Sequence, residues 1–143
     1  MDESPASEPS GPRVLSSNRQ DLPIDERGLA SLAERTLVAE GRPGVELSLS
    51  FVTADEMSDL HLRFAGEPGP TDVLSFPMDE DDLLGDVVVC PAEAAESNPD
   101  LRAELRVLVV HGVLHLLGYD HEDEDEREVM WAKQAVYAEG PPA

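Results

Sequence analysis

The sequence predicts an α+β fold in which a small mixed sheet of about four strands packs with helices. Three observations carry this expectation. Segments with apolar residues at helical spacing are interleaved with short alternating or β-branched runs, without strict strand–helix–strand alternation. The chain is 143 residues long, which suits one domain. The longest helical pattern ends in HGVLHLLGYDH, a block holding three of the four histidines.

Residues 1–12 are rich in Pro, Ser and Glu, and read as a disordered tail ahead of a single domain over 13–143. Arg13–Asn18 suits a short strand. From Asp25 to Glu40, Leu29, Leu32, Ala33, Thr36 and Leu37 recur at helical spacing, and Gly41 and Pro43 stop the helix. Val45, Leu47, Leu49 and Phe51 alternate with polar residues, the pattern of a half-buried strand. Thr53 and Glu56 form a capping box, so a helix runs from there to about Phe64. Val73–Met78 and Gly85–Cys90 are two more strands, joined by the acidic run Asp79-Glu80-Asp81-Asp82, and Val87-Val88-Val89 suits a fully buried strand. Pro91 opens a short helix. Asp100–Leu117 follows, with Leu101, Leu105, Leu108, Val109 and Leu116 on its buried side. A last helix spans about Asp123 to Tyr137, with Val129, Met130, Ala132, Val136 and Tyr137 available for packing.

Composition narrows the function classes. The formal net charge is −21. Such a surface repels phosphates at long range and argues against a general nucleic-acid binder, DNA included. No run is long and apolar enough to span a bilayer, and the acidic N-terminus lacks the apolar core of a signal peptide. A cytoplasmic location without membrane attachment is the expectation. Cys90 is the one cysteine, so it cannot form an internal disulfide, and it reads as a small apolar residue ending a strand.

His111 and His115 stand four apart on one helical face. Gly118 suits a left-handed helix end, after which the chain can double back and bring in His121. One such pair is more often coincidence than a metal site. Three imidazoles at H-x3-H-x2-G-x2-H favour one ion with an open position, the catalytic type of zinc site. Spacing alone does not separate zinc from nickel. HExxHxxGxxH metalloproteases share this spacing, but the glutamate that acts as their base is replaced by Gly112. Asp120 can either orient a ligand histidine or be a solvated turn residue.

HGVLHLLGYDH, with PGPTDVLSFPMDE and LLGDVVVCP upstream, resembles the YbeY family of bacterial endoribonucleases over roughly residues 13–138. The resemblance implies a zincin-like fold, with the metal site on a long helix and the following turn. It also implies a zinc-dependent, single-strand-specific endoribonuclease, with His111, His115 and His121 as ligands of one Zn2+. The activity implied is maturation of the 16S rRNA 3′ end and ribosome quality control. Implied partners are ribosomal RNA and the small subunit, the Era GTPase and a small-subunit ribosomal protein. Two other readings stay open: a zinc peptidase-like hydrolase, and a non-catalytic zinc-containing ribosome-assembly factor.

One departure bears on catalysis. Many family members place an arginine directly after an aromatic residue in the helix before PTDVLSFP, where this chain has Phe64-Ala65. Arg63 precedes the missing position by two residues, a rotation of roughly 200° on a helix. We expect Arg63 to turn inward and serve as the catalytic cation; the alternative is an exposed arginine paired with Asp59 or Glu67. His61 is expected to be exposed. Ser75 can offer its hydroxyl to substrate or be a buried strand serine. Phosphate recognition must come either from arginines gathered on one face, Arg13, Arg19, Arg63, Arg102 and Arg106 among them, or from ribosomal partners that deliver the RNA.

Overall fold

The structure, a computed structural model, describes residues 11–139 except Asp79 and Asp81. Most of the expected tail, and part of the acidic connection, therefore lie outside the described residues. Among the described residues, nine elements follow in order: β1 (Arg13–Asn18), α1 (Glu26–Ala39), β2 (Glu46–Phe51), α2 (Ala54–Ala65), β3 (Val73–Pro77), β4 (Leu83–Val89), α3 (Pro91–Ser97), α4 (Leu101–Leu116) and α5 (Glu124–Glu139). Helix starts fall where side chains can cap them. Asp25, Thr53, Asp100 and Asp123 each accept from a backbone N–H three residues on.

The sheet is four-stranded and mixed, as expected of the α+β fold, with the order β1-β2-β4-β3. β1, β2 and β4 are parallel, and β3 returns antiparallel to β4 at the edge. Alternation along β2 sends Leu47, Leu49 and Phe51 into the main core, which also takes Val87 and Val89 of β4 and the buried faces of α1, α4 and α5. Val52, Met57, Val88 and Cys90 form a smaller cluster on the other side of the sheet, joined by Leu60, Leu74 and Phe76. α2 therefore packs on the face opposite α4.

Two glycines allow the close approach that sets α4 on the sheet. Register slips between Glu46 and Leu47, so that Leu84 is skipped and Gly85 faces Leu47. Gly85 has φ +146°, and a Cβ there would lie 2.4 Å from the Phe76 carbonyl oxygen. A Cβ on Gly112 would meet Val87 Cγ1 at 2.5 Å. Helix α4 thus lies almost directly on β4 at Gly112, and Ser75 Oγ of β3 donates to the Gly112 carbonyl at 3.3 Å. Ser75 braces the helix.

α5 packs through Met130 and Tyr137 as expected, but not through its valines or Ala132. Val129 and Val136 are exposed, as is Ala132, while Met130 and Ala138 are buried. Lys133, Gln134 and Tyr137 share the inward side. Hydropathy favoured the valines, but the partners across the interface are polar: Glu40 takes Lys133 and Tyr137, and His111 takes Gln134.

Candidate metal centre

The three histidines come together. α4 carries His111 and His115 one turn apart, and then ends in a paired cap. Gly118 N–H bonds to His115 O, and Tyr119 N–H bonds to Leu114 O. Those two bonds form a Schellman motif, with Gly118 at φ +104°, a backbone angle that L residues rarely adopt. The reversal carries His121 back beside the helix. Ring centres stand 5.9 Å apart for His111 and His115, 5.6 Å for His111 and His121, and 5.8 Å for His115 and His121. Three imidazoles holding one ion at zinc–nitrogen distances and tetrahedral angles have ring centres about 5 Å apart. The near-equilateral triangle is within an ångström of that arrangement.

Asp120 adjoins two of the three histidines. Among the described residues, His115, Asp120 and His121 bring ligand atoms within 4.8 Å of one another. One Asp120 oxygen also accepts from the His121 backbone N–H at 2.7 Å, which fixes the carboxylate at the turn. His115 and His121 are exposed and His111 is half-buried, so the centre opens to solvent. The three imidazoles at an open surface, with a carboxylate beside two of them, fit a divalent ion with room for substrate.

His111 is the most elaborately held of the three. Its Nδ1–H donates to Gln134 Oε1 of α5 at 3.0 Å, so Nε2 is the nitrogen that would hold an ion. Burial pushes its pKa below the ordinary histidine value, and the neighbouring imidazoles add to this against opposing contributions from Gln134 and Asp72. A neutral imidazole is the form a metal requires. Gln134 was not singled out in the sequence; its signal was a polar residue at i+4 from Met130, on the stripe that α5 buries.

A second group fixes the turn itself. The Glu40 carboxylate, at the end of α1, accepts from Tyr119 Oη, Tyr137 Oη and Lys133 Nζ. Lys133 also lies 5.5 Å from the Tyr119 ring centre. Tyr119 sits between Gly118 and the Asp120–His121 pair, so this network ties the ligand turn to α1 and α5. Burial alone would raise the Glu40 pKa, but the two hydroxyls and the ammonium outweigh it and hold the carboxyl below its ordinary value. A depressed folded-state pKa contributes stability that is present above the unfolded value of about 4.3 and is lost as pH falls through the folded value. Glu40→Gln is expected to cost about 2 kcal/mol at pH 7, within the range for hydrogen bonds to a charged group. Thermal melts should show that deficit shrinking as pH drops below about 4. A deficit that stayed constant with pH would show that the carboxylate charge is not what stabilises the network.

The remaining expected site residues fall elsewhere. Arg63 is exposed on the last turn of α2, 3.1 Å from Asp59 and with its guanidinium over the Phe64 ring. This is the exposed pairing weighed against a catalytic role, on the sheet face away from α4. The i, i+4 spacing to Asp59 holds it there. His61 bonds through Nδ1 to the Gly69 carbonyl at 2.9 Å and braces the loop before β3. Arg127 was overlooked: its Nε–H donates to the His121 carbonyl at 3.4 Å, beside the histidines.

A mixed sheet backing a helix that delivers two histidines, with a third returned by a glycine turn, defines the class of small α+β protein with an open three-histidine centre. Sequence comparison places it further. The family model described as endoribonuclease YbeY matches residues 15–140, and the chain belongs to that family of endoribonucleases. It is similar to the endoribonuclease YbeY of Thermobifida fusca, 44% identical over 82% of this chain and 86% of that protein. The Beutenbergia cavernae endoribonuclease YbeY is 46% identical over 82% of this chain and 89% of its own length. Among solved structures, the solution structure of TM1509 from Thermotoga maritima matches with a TM-score of 0.60 and 35% identity, covering 90% of this chain and 87% of that one.

Proposed function

We propose that the protein is a zinc-dependent, single-strand-specific endoribonuclease that trims the 3′ end of 16S rRNA in the cytoplasm and takes part in ribosome quality control. The observation that carries the reading is the triangle of three imidazoles, open to solvent on His115 and His121. Bound there, zinc supplies a Lewis acid for phosphodiester hydrolysis. Around it the chain's own groups set the geometry: Gln134 fixes the His111 ring, Glu40 anchors the Tyr119 turn, and Asp120 stands beside His115 and His121. Peptide hydrolysis by the usual route is disfavoured, because position 112 faces Val87 in the core and has no space for a glutamate base.

Substrate delivery belongs to the same reading. Arg13, Arg19 and Arg63 are paired with Glu46, Glu56 and Asp59, which reduces what they can offer to RNA phosphates. Arg106 is turned to the Ala138 carbonyl. Ribosomal RNA held on the small subunit, with the Era GTPase and a small-subunit ribosomal protein as partners, would bring the scissile strand to the centre. In this reading Arg63 meets the RNA only on leaving Asp59, whereas Arg127 already adjoins the histidines.

The test is cleavage of a single-stranded RNA carrying the 16S 3′ region, beside a duplex of the same sequence and a peptide. Cleavage of the single strand alone is expected. Binding should weaken only slightly with salt, with a log–log slope of about −1, the value for one or two phosphate contacts on a single strand. Cleavage of the peptide, or of neither nucleic acid, would overturn the proposal. A slope of about −4 or steeper would replace partner delivery with an electrostatic groove on the protein itself.

A further inference from the structure

One large side chain of α5, on the helix that holds two of the histidines in place, is left mostly exposed. Trp131 is the chain's single tryptophan, and it stands 55% exposed on α5. A tryptophan left in water forgoes a large burial gain and is available for a flat apolar partner. Its position is defined at both ends. Arg127, Trp131 and Gln134 are spaced i, i+4 and i+7, so they form one stripe along the helix. Arg127 bonds to the His121 carbonyl at one end, and Gln134 bonds to the His111 ring at the other. Trp131 therefore stands between the residues that hold two of the three histidines. The Arg127 guanidinium also lies 5.8 Å from the Trp131 ring centre, a cation–π contact that steadies both side chains.

We propose that Trp131 is a stacking platform for one base of a single-stranded RNA, with Arg127 directed to the adjoining phosphate. The inference rests on the nuclease reading and adds the substrate contact which that reading lacks. Stacking suits this protein because it requires no net positive surface: every base has a π-face, and the contact is tolerant of sequence. The acids of the α5 first turn, Glu124, Asp125 and Glu126, would repel a backbone running along the helix start. Arg127 is the cation at the edge of that acidic turn. A duplex keeps its bases stacked on one another and has no free face to present, so the platform also supplies a preference for single strands.

Trp131 is its own reporter. A short oligoadenylate is titrated into the full-length protein while tryptophan emission is followed, and affinity is read independently from the anisotropy of end-labelled RNA. Quenching that tracks binding is expected, with no quenching by a duplex of equal length. Trp131→Ala should bind the single strand roughly tenfold more weakly, and Trp131→Phe should keep most of the affinity. In cleavage assays the alanine variant should raise KM more than it lowers kcat, with its metal content unchanged. RNA bound without any change in emission, or bound equally well by Trp131→Ala, would overturn the platform. The two readings fail separately: cleavage without quenching removes the platform and leaves the nuclease, whereas quenching without cleavage does the reverse.

Discussion

Replacing His115 with alanine is expected to abolish RNA cleavage and to weaken metal binding by more than about a hundredfold, beyond the usual effect of an outer-shell change. His115 is exposed at the end of α4, and its ring faces both His111 and His121. Removing an exposed side chain leaves no cavity, so the variant should fold with unchanged helical content and nearly the wild-type melting temperature in the absence of metal. This separates chemistry from stability. His111→Ala is a less clean experiment, because it also strands the Gln134 amide at the α4–α5 interface. The two variants should lose cleavage equally while His111→Ala loses more stability. Metal titration with competing chelator, circular dichroism and cleavage on one preparation decide the matter. Cleavage at wild-type rate by His115→Ala would show that the histidine triangle is not the reaction centre.

Substitution of Gly112 is expected to have a large effect on folding. An alanine Cβ would lie 2.5 Å from Val87 Cγ1 and 3.1 Å from its Cγ2. Val87 is fully buried on β4, a strand paired on both sides, and cannot step aside without moving the sheet. Gly112→Ala should therefore destabilise by about 1–3 kcal/mol, the range for an overpacked core. The rise in helix propensity from Gly to Ala offsets about 1 kcal/mol of the strain. Gly112→Glu, which would rebuild the protease motif, forces a carboxylate against the same valine and should prevent folding. Denaturant melts of Gly112→Ala test the packing claim. Stability equal to or above wild type would mean that α4 does not press on the sheet as described.

The glycine also shows how far the sequence could be read. Its presence between two histidines was visible as the loss of the protease base, but the reason for it was not. That reason is a contact with Val87, distant in the chain and reached only once β4 and α4 are packed. The histidine block was readable because its signal is local: helix spacing brings His111 to His115, and Gly118 reverses the chain within three residues of His121. Strands and helices were readable for the same reason. β2 alternates, and aspartate or threonine stands at four helix starts. What escaped notice depends on distant partners. Glu40 meets Tyr119 and Tyr137 across 79 and 97 residues. Gln134 meets His111 across 23. On α5, Met130 and Tyr137 pack as expected, but Val129 and Val136 do not, because Lys133 and Gln134 have the partners on α1 and α4. Arg63 was expected to turn toward the site, yet Asp59 sits one turn before it and takes the guanidinium.

These contacts also indicate which parts of the centre are fixed before any substrate arrives. His111 is held by a side chain from another helix, and the turn bearing His121 is held by a carboxylate from a third. Preorganisation of this kind keeps ligand rings in place without relying on the ion to gather them.

The most direct test of the central claim is removal and return of the metal. The purified protein is stripped with chelator, assayed on a single-stranded RNA, and reassayed after addition of one equivalent of zinc. Cleavage lost on stripping and restored at a single equivalent, in wild type but not in His115→Ala, is the predicted result. Cleavage that survives complete metal removal would contradict the claim that the three-histidine centre carries the reaction.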